Sequence, residues 1–107
     1  MERSILARRL ELHSKLEAIL GSNHVYFQPP ESLKLKYPCI VYERSTGDTK
    51  YADNNPFSFI PRYELTFITQ DPDSETINDL AYGLQSIRHI RHFKASNLNH
   101  DVFELFF

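Results

Sequence analysis

The sequence predicts an α+β domain: a mostly antiparallel sheet of four to five strands, with two helices packed on one face, in the order α-β-β-β-α-β-β. Three observations lead there. Apolar residues recur at helical spacing in two segments, one near the start and one after residue 73. Short runs rich in β-branched and aromatic residues lie between and after them, bounded by Pro, Gly, Asn and Asp. The turns between these runs are short, which favours antiparallel neighbours. At 107 residues the chain fits one domain, 1–107, with a real core and a long loop or arm at about 45–61.

Over residues 4–20, Ile5, Leu12, Leu16 and Ile19, flanked by Leu6 and Leu20, mark one face of a helix. Ser4 is suited to cap its start and Gly21-Ser22-Asn23 to end it. Glu2, Arg3, Arg8, Arg9, Glu11, Lys15 and Glu17 fall largely on the other face, as a solvated surface would. Val25-Tyr26-Phe27 is a short strand stopped by Gln28-Pro29-Pro30, because tandem prolines remove two ladder donors. Residues 37–44 form the clearest strand: Ile40, Val41 and Tyr42 are consecutive, as expected where both faces are covered.

Residues 45–61 mix turn formers with aromatic side chains. A disordered linker does not normally carry Tyr51, Phe57, Phe59 and Ile60, so a hairpin arm or loop is expected, ordered against a neighbour or over its own core. Residues 62–69 alternate Tyr63, Leu65 and Phe67 against Arg62, Glu64, Thr66 and Ile68, a strand with one buried face. Asp73 or Ser74 starts a second helix with a stripe of Ile77, Leu80, Ala81, Leu84 and Ile87. Residues 89–94 are extended, and 95–99 turn the chain into a strand with Phe103, Leu105 and Phe107 on one face and Val102 and Phe106 on the other. Two apolar faces on that strand, and a sheet face that two helices leave uncovered, point to partner subunits.

Composition excludes several classes. A formal charge of −2 gives no global attraction to nucleic acid or anionic membrane, so contact with DNA would need a local patch. The densest basic run is residues 88–94, with Arg88, Arg91 and Lys94; it serves as a charged sheet edge or as a surface lining a channel for DNA. The single Cys39, in an apolar run, reads as a core residue in a reducing compartment. No stretch is long and apolar enough for a membrane span or a signal peptide. Asp71-x-Asp73-x-Glu75 lacks the Gly and the final Glu of a calcium loop. His89, His92 and His100, with Asp101, could gather on a hairpin, but His89 and His92 point to opposite faces of a regular strand unless a bulge intervenes. No catalytic residues, metal ligands or cofactor are therefore assigned, and the chain reads as a building block instead of an enzyme.

Several stretches carry a resemblance: Val25-Tyr26-Phe27-Gln28-Pro29-Pro30-Glu31, Lys36-Tyr37-Pro38-Cys39-Ile40-Val41-Tyr42-Glu43-Arg44, Asp48-Thr49-Lys50-Tyr51-Ala52-Asp53-Asn54, Asp71-Pro72-Asp73-Ser74 and Asn97-Leu98-Asn99-His100-Asp101-Val102-Phe103. The chain resembles small proteins of the head-to-tail morphogenesis modules of tailed bacteriophages, and in size and helix-strand order it is most similar to tail terminator, or tail-completion, proteins. The resemblance implies a structural virion protein without catalysis. Its subunits would form a ring, a hexamer in that family, that caps the tail tube and joins it to the head connector. Expected partners are copies of itself, the major tail tube protein and the connector or head-closure protein, with non-specific contact to DNA in the lumen and none to membrane. Assembly would take place in the host cytoplasm. The residues favoured for subunit or tube contact are Tyr51, Phe57, Phe59, Ile60, Val102 and Phe106, and those for the lumen are Arg88, Arg91 and Lys94. The alternatives are a neck or head-closure protein between portal and tail, a small metal-dependent enzyme acting through the histidines, and a binding module that adds a strand to its sheet edge.

Overall fold

A computed structural model describes residues 4–107, excluding the side chain of Phe57. Glu2 and Arg3, assigned by sequence to a polar helix face, lie outside the described residues. In chain order the elements are α1 (Ile5–Leu20), β1 (Val25–Phe27), β2 (Cys39–Arg44), β3 (Asp48–Ala52), β4 (Asn55–Ile60), β5 (Arg62–Thr69), α2 (Thr76–Gly83), β6 (Ile87–Ala95) and β7 (Leu98–Phe106). Five strands form one sheet in the order β1-β2-β5-β7-β6, and β3 and β4 form a separate pair. The expected α+β class, with a mostly antiparallel sheet and two helices, is the class observed.

Local chemistry sets the first helix. Ser4 stays extended and accepts the Ala7 N–H on its hydroxyl at 3.0 Å, while Gly21, at φ 80°, donates its N–H to the Glu17 carbonyl at 2.8 Å. Both caps fall where the sequence puts them. The apolar face behaves differently along its length. Leu12 and Leu16 are fully buried, whereas Ile5, Leu6 and Leu10 remain exposed, and the first half of the helix meets the sheet through Arg8 and Arg9 instead, the Arg9 guanidinium lying over the Phe27 ring.

One apolar layer holds the domain together. Ile40 and Tyr42 of β2, Tyr63, Leu65 and Phe67 of β5, and Phe103 and Leu105 of β7 pack with Leu12, Leu16 and Leu80 from the helices, all of them 0% exposed. Each such side chain contributes roughly 1.5–3 kcal/mol relative to exposure. The alternation expected for residues 62–69 places Tyr63, Leu65 and Phe67 in this layer.

Three features depart from the sequence reading. The simple meander is interrupted because β1 runs parallel to β2, with Val25 opposite Ile40 and Phe27 opposite Tyr42. The connection after Pro29-Pro30 therefore returns to the same end of the sheet. It passes the face opposite the helices, where Lys36 N–H donates to Tyr26 Oη at 3.3 Å, so that face is partly covered. Secondly, α2 stops at Gly83: Leu84 is extended and Ile87 begins β6, so the stripe ends at Leu84. Neither Asp73 nor Ser74 is its cap; Glu75 occupies that position without a side-chain bond, and Ser74 Oγ accepts the Thr76 N–H just before it. Finally, the last connection is only two residues, Ser96 and Asn97, both left-handed at φ 53° and 61°, the twist a tight hairpin requires.

Two buried tyrosines differ in a testable way. Tyr42 Oη lies 2.7 Å from His13 Nδ1, whereas the buried Tyr63 hydroxyl has no partner among the described residues. Tyr42→Phe is expected to lower stability by about 1 kcal/mol, and Tyr63→Phe to leave it unchanged or raise it by up to about 1 kcal/mol. Paired thermal melts of the two variants check the contrast. Burial also pushes the Cys39 thiol up to about 11 and raises the Tyr42 and Tyr63 hydroxyls. A group whose folded value is raised stabilises fully below its unfolded value and loses that contribution as pH rises through the folded one. Urea midpoints should therefore hold steady at neutral pH and fall from about pH 9, where a free thiol begins to ionise, towards about 11. Cys39→Ala should blunt the early part of that fall.

Candidate functional site

The segment between β2 and β5 folds as a two-stranded arm. Asp53 and Asn54 take φ 51° and 65°, the primed-turn conformation that matches the twist of a hairpin, and β3 pairs with β4 from Asp48 opposite Ile60 to Ala52 opposite Asn55. A register shift between Lys50 and Tyr51 bends the ladder near the tip. The two strands make extensive contact only with each other. The molecule is accordingly drawn out to 51 × 24 × 23 Å, with a radius of gyration of 14.9 Å where about 13 Å is usual for this length.

The arm is fixed only at its root. Ser45 N–H donates to the Arg62 carbonyl at 2.7 Å, and Arg62 reaches back to the hydroxyls of Ser45 and Thr46. From α1, Arg8 donates through Nε to the Phe107 carbonyl at 3.1 Å and through Nη1 to the Phe59 carbonyl at 3.4 Å. One side chain thereby ties the helix, the arm and the end of β7 together. The Phe59 ring lies on bare backbone at Gly47, where a Cβ would come within 2.2 Å of it. Beyond the root no other element among the described residues makes extensive contact with the arm, and Tyr51 near its tip is 65% exposed.

Beside the root is an open cleft of about 540 Å³, bordered by Arg8 and Lys15 of α1, Ile60 of β4, Leu84 after α2, and Phe106 and Phe107. Of the residues favoured by sequence for partner contact, Ile60 and Phe106 thus meet in one place, Phe59 sits at the root, and Tyr51 stands apart up the arm. The side chain of Phe57 lies outside the described residues. Val102 is different. β7 is an inner strand between β5 and β6, and Val102, opposite Thr66 and Arg91, is only 1% exposed, so its surface is already taken up within its own chain.

The basic run does not form one patch. Arg88 pairs with Glu104, which also lies 3.5 Å from Arg62, and Arg91 lies 3.9 Å from Glu64. These groups share the sheet face away from the helices, whereas Lys94, opposite Asn99, points to the other. Exposed pairs of this kind add little stability, but they leave less free positive charge than the sequence suggests.

A bulge between His89 and Arg91 meets the condition that the sequence set for the histidines. His89 Nε2 and His92 Nδ1 both lie 3.0 Å from the same oxygen of the buried Asp101, so with the carboxylate ionised each ring donates an N–H to it. His100 does not join them; it stacks on Phe93 with ring centres 4.6 Å apart. Among the described residues no group of three or more His, Cys, Asp or Glu is arranged to hold a metal ion. Cys39 is fully buried and its raised thiol is neutral near pH 7, which does not suit a nucleophile. Asp71 accepts the Asp73 N–H at 2.9 Å, a local turn bond.

Sequence reasoning passed over Arg8 and Gly47. Arg8 sits in a run of charges that carries no sign of its double bond, but Gly47, one of three glycines in the chain and just ahead of the aromatic segment, was a legible signal. No helix among the described residues is long and apolar enough to cross a membrane. The chain matches no known family model, and no curated protein is significantly similar to it. Gly47→Ala should push the Phe59 ring off its seat, lowering stability by about 1 kcal/mol. Amide hydrogen exchange checks it, with faster exchange expected at residues 48–60 and unchanged protection in β5 and β7.

Proposed function

We propose that the chain is a ring-forming structural subunit of a tailed-phage particle, a tail terminator that occupies the end of the tail tube and presents a docking surface to the head connector. The observation that carries the assembly reading is the arm. An isolated two-stranded hairpin is marginal in water, yet this one holds an exposed tyrosine near a tip that no other element among the described residues contacts extensively, which favours completion by another chain. The tail-end assignment rests on the resemblance of the sequence stretches and on the α+β order of helices and strands that goes with it. A repeated subunit with two different contact patches adds identical contacts at each step and closes into a ring when the rotation per copy divides a full turn. Growth of the tube would stop because the ring covers its end, with no covalent step required.

Purified protein mixed with tail tubes lacking their terminator should give tubes of uniform length with a ring at one end, visible by negative-stain microscopy. Tyr51→Asp is expected to remain folded, with a melting temperature within about 2 °C of wild type as befits an exposed position, and to leave the tubes uncapped. Capping by this variant as by wild type would sink the role given to the arm. If the protein instead restores infectivity to tailless heads without touching tubes, the chain belongs to the neck.

A further inference from the structure

The tip of the arm and the cleft at its root cannot meet within one chain. The cleft lies at the level of Ile60, which pairs with Asp48 at the bottom of the hairpin. Tyr51 is three residues further up β3, about 10 Å away along the strand, and Asp53 is about 17 Å away. A paired strand cannot double back over that distance, so the tip is out of reach of its own root.

Chemically the tip and the cleft match. The cleft offers an apolar floor of Ile60, Leu84, Phe106 and Phe107, bordered by Arg8, Glu11 and Lys15 of α1, which together leave a positive charge in excess. Leu84 is buried, Phe106 and Phe107 are half-buried, and Lys15 has no ion-pair partner among the described residues. The tip offers the exposed Tyr51 and, at the turn, the exposed Asp53, whose carboxylate has no partner among the described residues. A tyrosine buries about 150–250 Å² when enclosed, and its hydroxyl prefers a site with one wet edge, which an open cleft provides. An aromatic ring would lie against apolar side chains, and a carboxylate against the Lys15 ammonium beside it.

We propose that the cleft is the socket for the arm tip of a second copy of this chain, Tyr51 entering between Ile60, Leu84 and Phe106 while Asp53 meets Lys15. This rests on the ring reading above and specifies its lateral contact. The contact is head-to-tail, because each copy gives a tip on one side and a socket on the other.

Cysteine cross-linking tests it directly, since Cys39 is buried and leaves the background clean. Ala52→Cys and Gln85→Cys chains, mixed and treated with a short bis-maleimide, should give a covalent dimer that neither gives alone. A chain carrying both should give a ladder. Adding Tyr51→Asp to the Ala52→Cys chain should abolish the product. Sedimentation of uncross-linked protein supplies the second readout: Lys15→Glu should raise the concentration needed for assembly about tenfold, as like charges are brought together, and Asp53→Lys added to it should recover most of the loss. Oligomers that depend on Tyr51 but never link residue 52 to residue 85 would overturn the socket and leave the ring standing. Protein that stays monomeric at every concentration, and on tube ends as well, would overturn both.

Discussion

Everything in this molecule depends on a single-sided apolar layer. Two helices reach the sheet from one side only, and α1 gives its apolar contribution through Leu12 and Leu16, which share one buried cluster with Tyr42, Tyr63, Leu65 and Phe103. In a chain of 107 residues that layer provides most of the available hydrophobic stabilisation, which leaves the periphery to be held by polar bonds or left loose. On the face away from the helices Cys39, Ile68 and Val102 are buried, and the returning segment touches that face at Tyr26. The root of the arm is fastened by Arg8 and Arg62, and the tip, among the described residues, only by the pairing of its own two strands.

The parts of the fold that were legible in the sequence are those decided locally. Ser4 and Gly21 bound α1 because capping needs only a hydroxyl and a missing Cβ. The alternation of Tyr63, Leu65 and Phe67 survives because a strand with one buried face fixes every second residue. Failures came where distant pairing decides. Nothing local says that Val25 will lie parallel to Ile40, since the direction of that pair is set by how an eleven-residue return from Gln28 to Pro38 crosses the sheet. The spacing of Ile87 from Leu80 and Leu84 fits the end of a helical stripe, but pairing with Leu105 in the ladder outweighs that periodicity.

The arm shows the same division. Its aromatic content was visible, and Asp53-Asn54 carried the turn chemistry, so an arm or loop could be expected before its geometry was known. The cleft could not. Ile60, Leu84 and Phe106 lie in three separate elements, and Arg8, which joins helix, arm and sheet end, looks in the sequence like any surface charge. Val102 marks the opposite error. An apolar residue facing away from the core layer reads as partner-facing, yet here cross-strand neighbours suffice to bury it. The histidines fall between the two: their spacing in the sequence requires a bulge if His89 and His92 are to reach one carboxylate, but its presence depends on a register with β7 that no local signal fixes.

A socket and a tip at opposite ends of one hairpin also constrain the geometry of any assembly built from them. Because Ile60 helps form the socket and is continuous through β4 with the turn at Asp53-Asn54, the vector from one contact to the other is set by a paired strand and not by a flexible linker. Each added copy would then turn by nearly the same angle. Identical rotations either close into a ring or wind into a filament, and a mismatch of a few degrees per copy separates the two. The register shift at Lys50 and Tyr51 bends the arm at the point where that angle is set. Arg8, holding the Phe59 and Phe107 carbonyls together, keeps the arm from pivoting on the sheet. In such an assembly the number of subunits follows from the hinge at the root as much as from the contact itself. The polar fastening of an otherwise bare hairpin would then set ring size, while the apolar tip supplies affinity.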